Sequence, residues 1–214
     1  MVIISRIQSS ESPPRIWLCP IGKFSLLPIH AAGIYHDEAQ TCFSDYATLS
    51  YAPTLEALLN QPALQVPKDF SMLAVIEPGS GSNYLPATET ELKRIESHVP
   101  SEWLTTLGTK DSPSSVEKVL TSLSTASFVH FACHGAQDFK KPLESALLLR
   151  DGPLKITQIM QRRMPNASLA FLSACETARG DDKTPDEAMH IAATLLFAGF
   201  RGVVGTMWYV KHLL

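Results

Sequence analysis

From residue 71 onwards, short apolar runs alternate with segments that have the periodicity of helices. Residues 72–76 (MLAVI), 128–133 (FVHFAC) and 169–174 (LAFLSA) are apolar runs of this kind, and such runs are typical of strands buried on both faces of a parallel sheet. Helical patterns stand between them, for example over residues 88–99 and 184–198. Strands that alternate with helices predict an α/β fold with a mostly parallel central sheet and helices on both faces.

The chain before residue 71 has a different pattern, rich in candidate strands and irregular in spacing. Residues 15–19 (RIWLC) and 24–29 (FSLLPI) are predicted to pair as a hairpin, and residues 47–51 (ATLSY) form a further candidate strand. Residues 61–69 contain two prolines and are predicted to be a linker or loop. The sequence therefore predicts a β-rich N-terminal part over residues 1–70 and an α/β core over residues 71–214.

Two of the predicted core strands end in small residues and are followed by residues that can carry out chemistry. His134 and Gly135 follow the run at 128–133, and Cys175 follows the run at 169–174. Right-handed crossovers place the carboxyl ends of parallel strands along one edge of the sheet. In open α/β sheets this edge carries the ligand site. If the two strands are neighbours, we expect His134 and Cys175 to face each other there.

A cysteine beside a histidine is an arrangement for nucleophilic catalysis. A thiol with a pKa of ~8.5 is mostly protonated at neutral pH, and a nearby imidazole can take or hold its proton. His134 is the candidate base and Cys175 the candidate nucleophile, and the backbone N–H groups of Gly135 and Cys175 are candidate donors to an oxyanion. Taken alone, a cysteine with apolar neighbours is more often an inert core thiol, so the hypothesis depends on the two strand ends together.

Other polar residues near these motifs are interpreted as structural. Alternation along the strand at 128–133 places His130 and Ala132 on one face of the sheet and Phe131 and Cys133 on the other, which favours a core or supporting role for His130 and Cys133. Thr88 and Glu91 have the spacing of a capping box at the start of the helix predicted over residues 88–99.

Composition excludes several classes of function. The net charge is −3 and no Lys/Arg cluster is present, so neither nucleic acid nor an anionic membrane is an expected partner. No apolar run approaches the ~20 residues of a membrane span, and the N-terminus lacks the features of a signal peptide. The four cysteines are widely spaced, which predicts reduced thiols in a cytoplasmic or nuclear protein; of the two, cytoplasmic is the localisation expected.

No cofactor or metal is expected from the sequence. The loop after residues 72–76 contains Gly79 and Gly81, but Tyr84 stands where a dinucleotide-binding fingerprint has its third glycine. Cys133, His134 and Cys175 lack the spacing of zinc ligands.

Three motifs in the core together resemble the CHAT domain, a caspase-like cysteine peptidase family that is related to the separases. They are VHFACHG at 129–135, LSACET at 172–177 and DEAMHIAATLLFAGFRGVVGTMWYV at 186–210. Weaker similarity extends to PIGKFSLLPIHAAG at 20–33, YAPTLEAL at 51–58 and LPATETEL at 85–92. The resemblance implies a caspase-like αβα sandwich and a catalytic dyad of His134 and Cys175, with Gly135 beside the oxyanion.

The same resemblance implies a cysteine endopeptidase that cleaves a protein or peptide substrate in cell-death or defence signalling, under the control of a regulatory partner protein. Relatives in the wider group often prefer a basic residue before the scissile bond, and Glu176 and Asp182 are acidic residues close to Cys175 that are candidates to bind it. A solvated acidic loop is the simpler interpretation of Asp181 and Asp182.

The resemblance also bears on the end of the chain and on an alternative function. Family domains usually continue into a further helix after the last strand, which contains Trp208 in this chain, so the core is expected to be truncated at its C-terminus. The alternative to an enzyme is a non-catalytic interaction module with a caspase-like fold. Intact motifs at His134 and Cys175 favour the enzyme, and a truncated core favours the module.

Overall fold

The structure is a computed structural model that describes residues 2–6, 13–36, 39–59, 70–81, 84–138, 140–173 and 191–206. The described residues fall into two compact units, one at the N-terminal side of residue 61 and one from residue 70 onwards. Among these residues, no helix combines the length and the apolar character that a membrane span requires.

The first unit is built mainly from short strands. Its described elements are β1 (Val2–Arg6), β2 (Arg15–Cys19), β3 (Gly33–His36), β4 (Ala39–Cys42), β5 (Thr48–Tyr51) and the short helix α1 (Leu55–Leu59). Strand β2 pairs antiparallel with β1 and parallel with β5, while β3 and β4 form a separate antiparallel pair.

The hairpin predicted between residues 15–19 and 24–29 is wrong. The first strand forms as predicted, but the second segment folds into two short 3₁₀ helices, Gly22–Leu26 and Ile29–Ala31. Both edges of β2 are taken by β1 and β5, and Pro28 has no N–H group to donate to a strand ladder. The apolar run at 24–29 therefore has neither a free strand edge on β2 nor a full set of backbone donors.

The second unit contains the predicted parallel sheet. Its strands are β6 (Met72–Ile76), β7 (Leu104–Leu107), β8 (Phe128–Ala132), β12 (Leu169–Leu172) and β13 (Gly202–Gly205). They are all parallel, in the order β13-β12-β8-β6-β7. A small antiparallel sheet consists of β9 (His134–Ala136), β10 (Ala146–Leu149) and β11 (Gly152–Lys155). The described helices of this unit are α2 (Ala87–His98), α3 (Val116–Leu123), α4 (Ile156–Met160) and α5 (Ile191–Phe197).

Strand β8 lies between β6 and β12, and the register of these pairs matters for the site. Phe128 stands opposite Met72 on one side and opposite Leu169 on the other. The strands that lead to His134 and to Cys175 are thus direct parallel neighbours. The hypothesis of a His134–Cys175 dyad requires this adjacency, which the sequence alone does not establish.

The two faces of the parallel sheet are covered differently. Val129, Phe131 and Cys133 belong to the main hydrophobic core, together with apolar residues of α3, α4 and α5. Ala132 lies on the opposite face with Ala74 and Ile76, where partly buried residues of α2 pack against them. Helices on both faces confirm the predicted αβα arrangement, and the faces predicted for the side chains of β8 are confirmed as well.

Candidate active site

His134 lies at the carboxyl end of β8, where the chain passes from one sheet into another. The parallel strand ends at Ala132, and β9 begins at His134 after a bend at Cys133. In the antiparallel pair, His134 stands opposite Leu148 and Gly135 opposite Leu147. The His134 side chain is half-buried. Regular ladders on both sides of the bend thus fix the backbone that carries the imidazole.

Strand β12 brings the second motif to the same edge. The N–H of Ser173 donates to the carbonyl oxygen of Phe131 at 2.8 Å, so the ladder with β8 continues one residue beyond Leu172. Cys175, two positions later in the sequence, lies outside the described residues, as do Glu176 and Asp182. The structure therefore brings the two strand ends together, and the dyad and the acidic subsite stay predictions.

A carboxylate from helix α2 contacts the middle of β8 and the residue that follows β12. Glu91 Oε2 lies 2.8 Å from His130 Nε2, and Glu91 Oε1 accepts a hydrogen bond from Ser173 Oγ at 2.8 Å. The His130 ring is also stacked on Phe171, with ring centroids 5.2 Å apart and an angle of 15° between the planes. His130 is thus held by α2 and by β12, and Glu91 contacts both strands of the candidate site.

The capping box predicted for Thr88 and Glu91 is wrong. Helix α2 begins at Ala87 after Pro86, and Thr88 Oγ1 donates to the carbonyl oxygen of Leu85 at 2.8 Å. Thr88 is consequently inside the first turn and cannot act as the N-cap. The sequence does contain a signal that Glu91 faces the sheet. It precedes the sheet-facing Ile95 by four residues, which places both on one side of the helix.

Cys133 provides an internal contrast to the candidate nucleophile. It is fully buried in the main core, and burial, followed by the negative charge of Glu77, raises the pKa of its thiol to about 12. The Glu77 carboxylate accepts a hydrogen bond from Ser114 Oγ at 2.6 Å. Cys133 is therefore protonated at neutral pH, and its interpretation as a core residue is confirmed.

A metal centre receives no support from the part of the chain that is described, since it contains no group of three or more His, Cys, Asp or Glu side chains that could hold an ion.

A parallel five-stranded sheet with helices on both faces, extended by a small antiparallel sheet after its central strand, is a caspase-like α/β fold. The family model of the CHAT domain matches residues 2–213, essentially the whole chain. The protein thus belongs to the CHAT domain family, a caspase-like family that is related to peptidases. A search of curated proteins found no significant match.

Proposed function

We propose that the protein is a cysteine endopeptidase in which Cys175 is the nucleophile and His134 the base. The observation that carries the proposal is the register of β8 and β12, in which Phe131 stands opposite Leu172. His134 follows Phe131 by three residues, and Cys175 follows Leu172 by three residues. The two segments therefore leave the parallel sheet from the same level of its carboxyl edge, and we propose that His134 and Cys175 meet there.

Apart from the substrate and water, the proposed reaction uses only groups of this chain. His134 takes the thiol proton, and the Cys175 sulfur attacks the carbonyl carbon of the scissile peptide bond. The N–H groups of Gly135 and Cys175 donate to the oxyanion that forms. When the intermediate collapses, the imidazolium gives its proton to the leaving amine, and water then hydrolyses the thioester.

The substrate is proposed to be a protein or peptide, with Glu176 and Asp182 as the residues that would favour a basic side chain before the scissile bond. A carboxylate next to the nucleophile attracts an Arg or Lys side chain and repels an acidic one. A cytoplasmic role in cell-death or defence signalling, controlled by a partner protein, is the biological part of the proposal. Its support is membership of the family.

Cleavage of a peptide library derived from a whole proteome tests the proposal. The wild-type protein is expected to produce new peptide termini, enriched in bonds that follow Arg or Lys. Cys175→Ala and His134→Ala are expected to produce none while keeping the wild-type circular dichroism spectrum. Cys19→Ala serves as the matched thiol control and is expected to cleave as the wild type does.

Two outcomes would contradict the proposal. Full cleavage by Cys175→Ala would remove Cys175 from the reaction. A wild-type protein that neither cleaves peptides nor reacts selectively at Cys175 would favour the non-catalytic interaction module instead.

A further inference from the structure

The Glu91 side chain links α2 to β8 and to the residue that follows β12. One carboxylate oxygen lies 2.8 Å from His130 Nε2 on β8, and the other accepts from Ser173 Oγ, just beyond β12, at 2.8 Å. Both contacts are with residues distant in sequence, 39 and 82 positions away. The Glu91 carboxylate therefore connects the end of β12 to β8 in addition to the backbone ladder.

The cost of burying these groups indicates that the contacts are specific. His130 is only 8% exposed, and the Glu91 side chain is 25% exposed. Polar groups in such surroundings cost free energy unless they are hydrogen-bonded. Replacing a buried ionic or polar cluster by apolar side chains of similar size is often neutral or stabilising. Stability alone therefore does not explain why a carboxylate holds α2 against the sheet, which points to a role beyond packing.

The place of Ser173 suggests that role. Successive side chains of a strand alternate between its two faces. Phe171 stacks on His130 and Ser173 binds Glu91, so positions 171 and 173 share the face that carries α2. Cys175 follows Ser173 by two residues in the sequence. A carboxylate that fixes Ser173 therefore fixes the last described residue before the proposed nucleophile.

We infer that Glu91 is a positioning residue for the candidate peptidase: by binding Ser173 and His130 together, it holds the segment that carries Cys175 level with the segment that carries His134. The inference rests on the proposed function. A displacement of a reacting group by about 1 Å can reduce the rate ~100-fold, so loss of the carboxylate should act on kcat and on thiol reactivity, with KM nearly unchanged.

The test compares the rate at which iodoacetamide alkylates Cys175, measured by mass spectrometry from pH 5 to 9, in the wild type, Glu91→Gln and Glu91→Ala. We expect the alkylation rate at neutral pH to fall by roughly 3- to 30-fold in Glu91→Ala, because an unactivated thiol is still a few per cent thiolate there. Glu91→Gln keeps one acceptor oxygen, and its rate should fall between those of the wild type and Glu91→Ala.

Glu96→Gln changes an exposed carboxylate of the same helix and should react as the wild type does. Ser173→Ala removes one contact without a change of charge and should show a smaller loss in the same direction, which keeps the test valid if Glu91→Ala fails to fold.

The outcomes separate the two proposals. His134→Ala sets the reactivity of Cys175 without a base. If the wild type reacts no faster than His134→Ala, the proposed function fails and this inference fails with it. If the wild type reacts faster and the enhancement survives in Glu91→Ala and Ser173→Ala, the proposed function stands and Glu91 is only structural. A lower melting temperature with unchanged reactivity would lead to the same conclusion.

Discussion

The two faces of the parallel sheet bury different kinds of side chains. The face covered by α3, α4 and α5 is filled by large apolar side chains such as Phe131, Leu154 and Leu172, all nearly or fully buried. The face under α2 has a small buried cluster of Ala74, Ile76 and Ala132, and beyond it lie the contacts of Glu91. Among the described residues, large buried apolar side chains are thus concentrated on one face, and the other face carries the polar contacts of Glu91.

The cysteines of the two motifs, Cys133 and Cys175, differ in their proposed roles. Cys133 points into the main core, where burial keeps its thiol protonated. Cys175 stands two positions after Ser173, whose side chain is on the α2 face. Both cysteines follow apolar runs, so the local sequence alone does not distinguish their proposed roles.

The largest effect is expected at the carboxyl edge itself. General acid–base catalysis contributes ~100- to 10,000-fold to a rate. His134→Ala should therefore lower kcat/KM for a cleaved peptide by at least ~100-fold. The free energy of unfolding should change little because His134 is half-buried and outside the main core. His98→Ala, at an exposed position in α2, should retain wild-type kinetics. Equal losses in the two variants would contradict the assignment of His134 as base.

Core truncation should distinguish the two faces by stability. Phe131 is fully buried, and a buried Phe→Ala change costs about 3–5 kcal/mol. Phe171 is 42% exposed on the other face, so Phe171→Ala should cost clearly less in urea unfolding. Equal losses for the two variants would mean that the α2 face is as important for stability as the main core.

Alkaline pH should reveal the buried thiol. The pKa of Cys133 rises from an ordinary 9.0 to about 12 in the folded protein. Between these values the unfolded chain loses the proton and the folded chain keeps it, so the stabilising contribution is complete below pH 9 and decreases as pH rises. Relative to Cys133→Ala, the wild type should lose about 1.4 kcal/mol of unfolding free energy between pH 7 and pH 10. An unchanged difference between the two proteins would contradict the raised pKa.

The parts of the fold that follow from local pattern were predictable. The runs at 72–76 and 128–133 are apolar because their strands are buried on both faces, whereas the run at 169–174 is buried on one face and exposes Phe171 on the other. Each of the three runs contains a strand in the structure. The faces of His130 and Cys133 follow from alternation alone. That β8 and β12 are neighbours could not be read from the sequence, because β9, β10, β11 and α4 lie between them along the chain.

The errors have the same origin. Thr88 and Glu91 fit a local capping pattern, but tertiary contacts with His130 and Ser173 take the carboxylate instead. Residues 24–29 have the apolar character of a strand, but both edges of β2 are taken by other strands. In both cases the partner that decides the conformation is far away in sequence, where no local pattern can indicate it.

Labelling with a peptide that carries a thiol-reactive acyloxymethyl ketone would show whether His134 activates Cys175. The rate of modification of each cysteine would be followed by mass spectrometry in the wild type and in His134→Ala. We expect Cys175 to react faster than the half-buried Cys19 and Cys42, and the buried Cys133 to stay unmodified. The advantage of Cys175 should disappear in His134→Ala. Similar rates at Cys19, Cys42 and Cys175, or a rate at Cys175 that does not depend on His134, would contradict this role of His134.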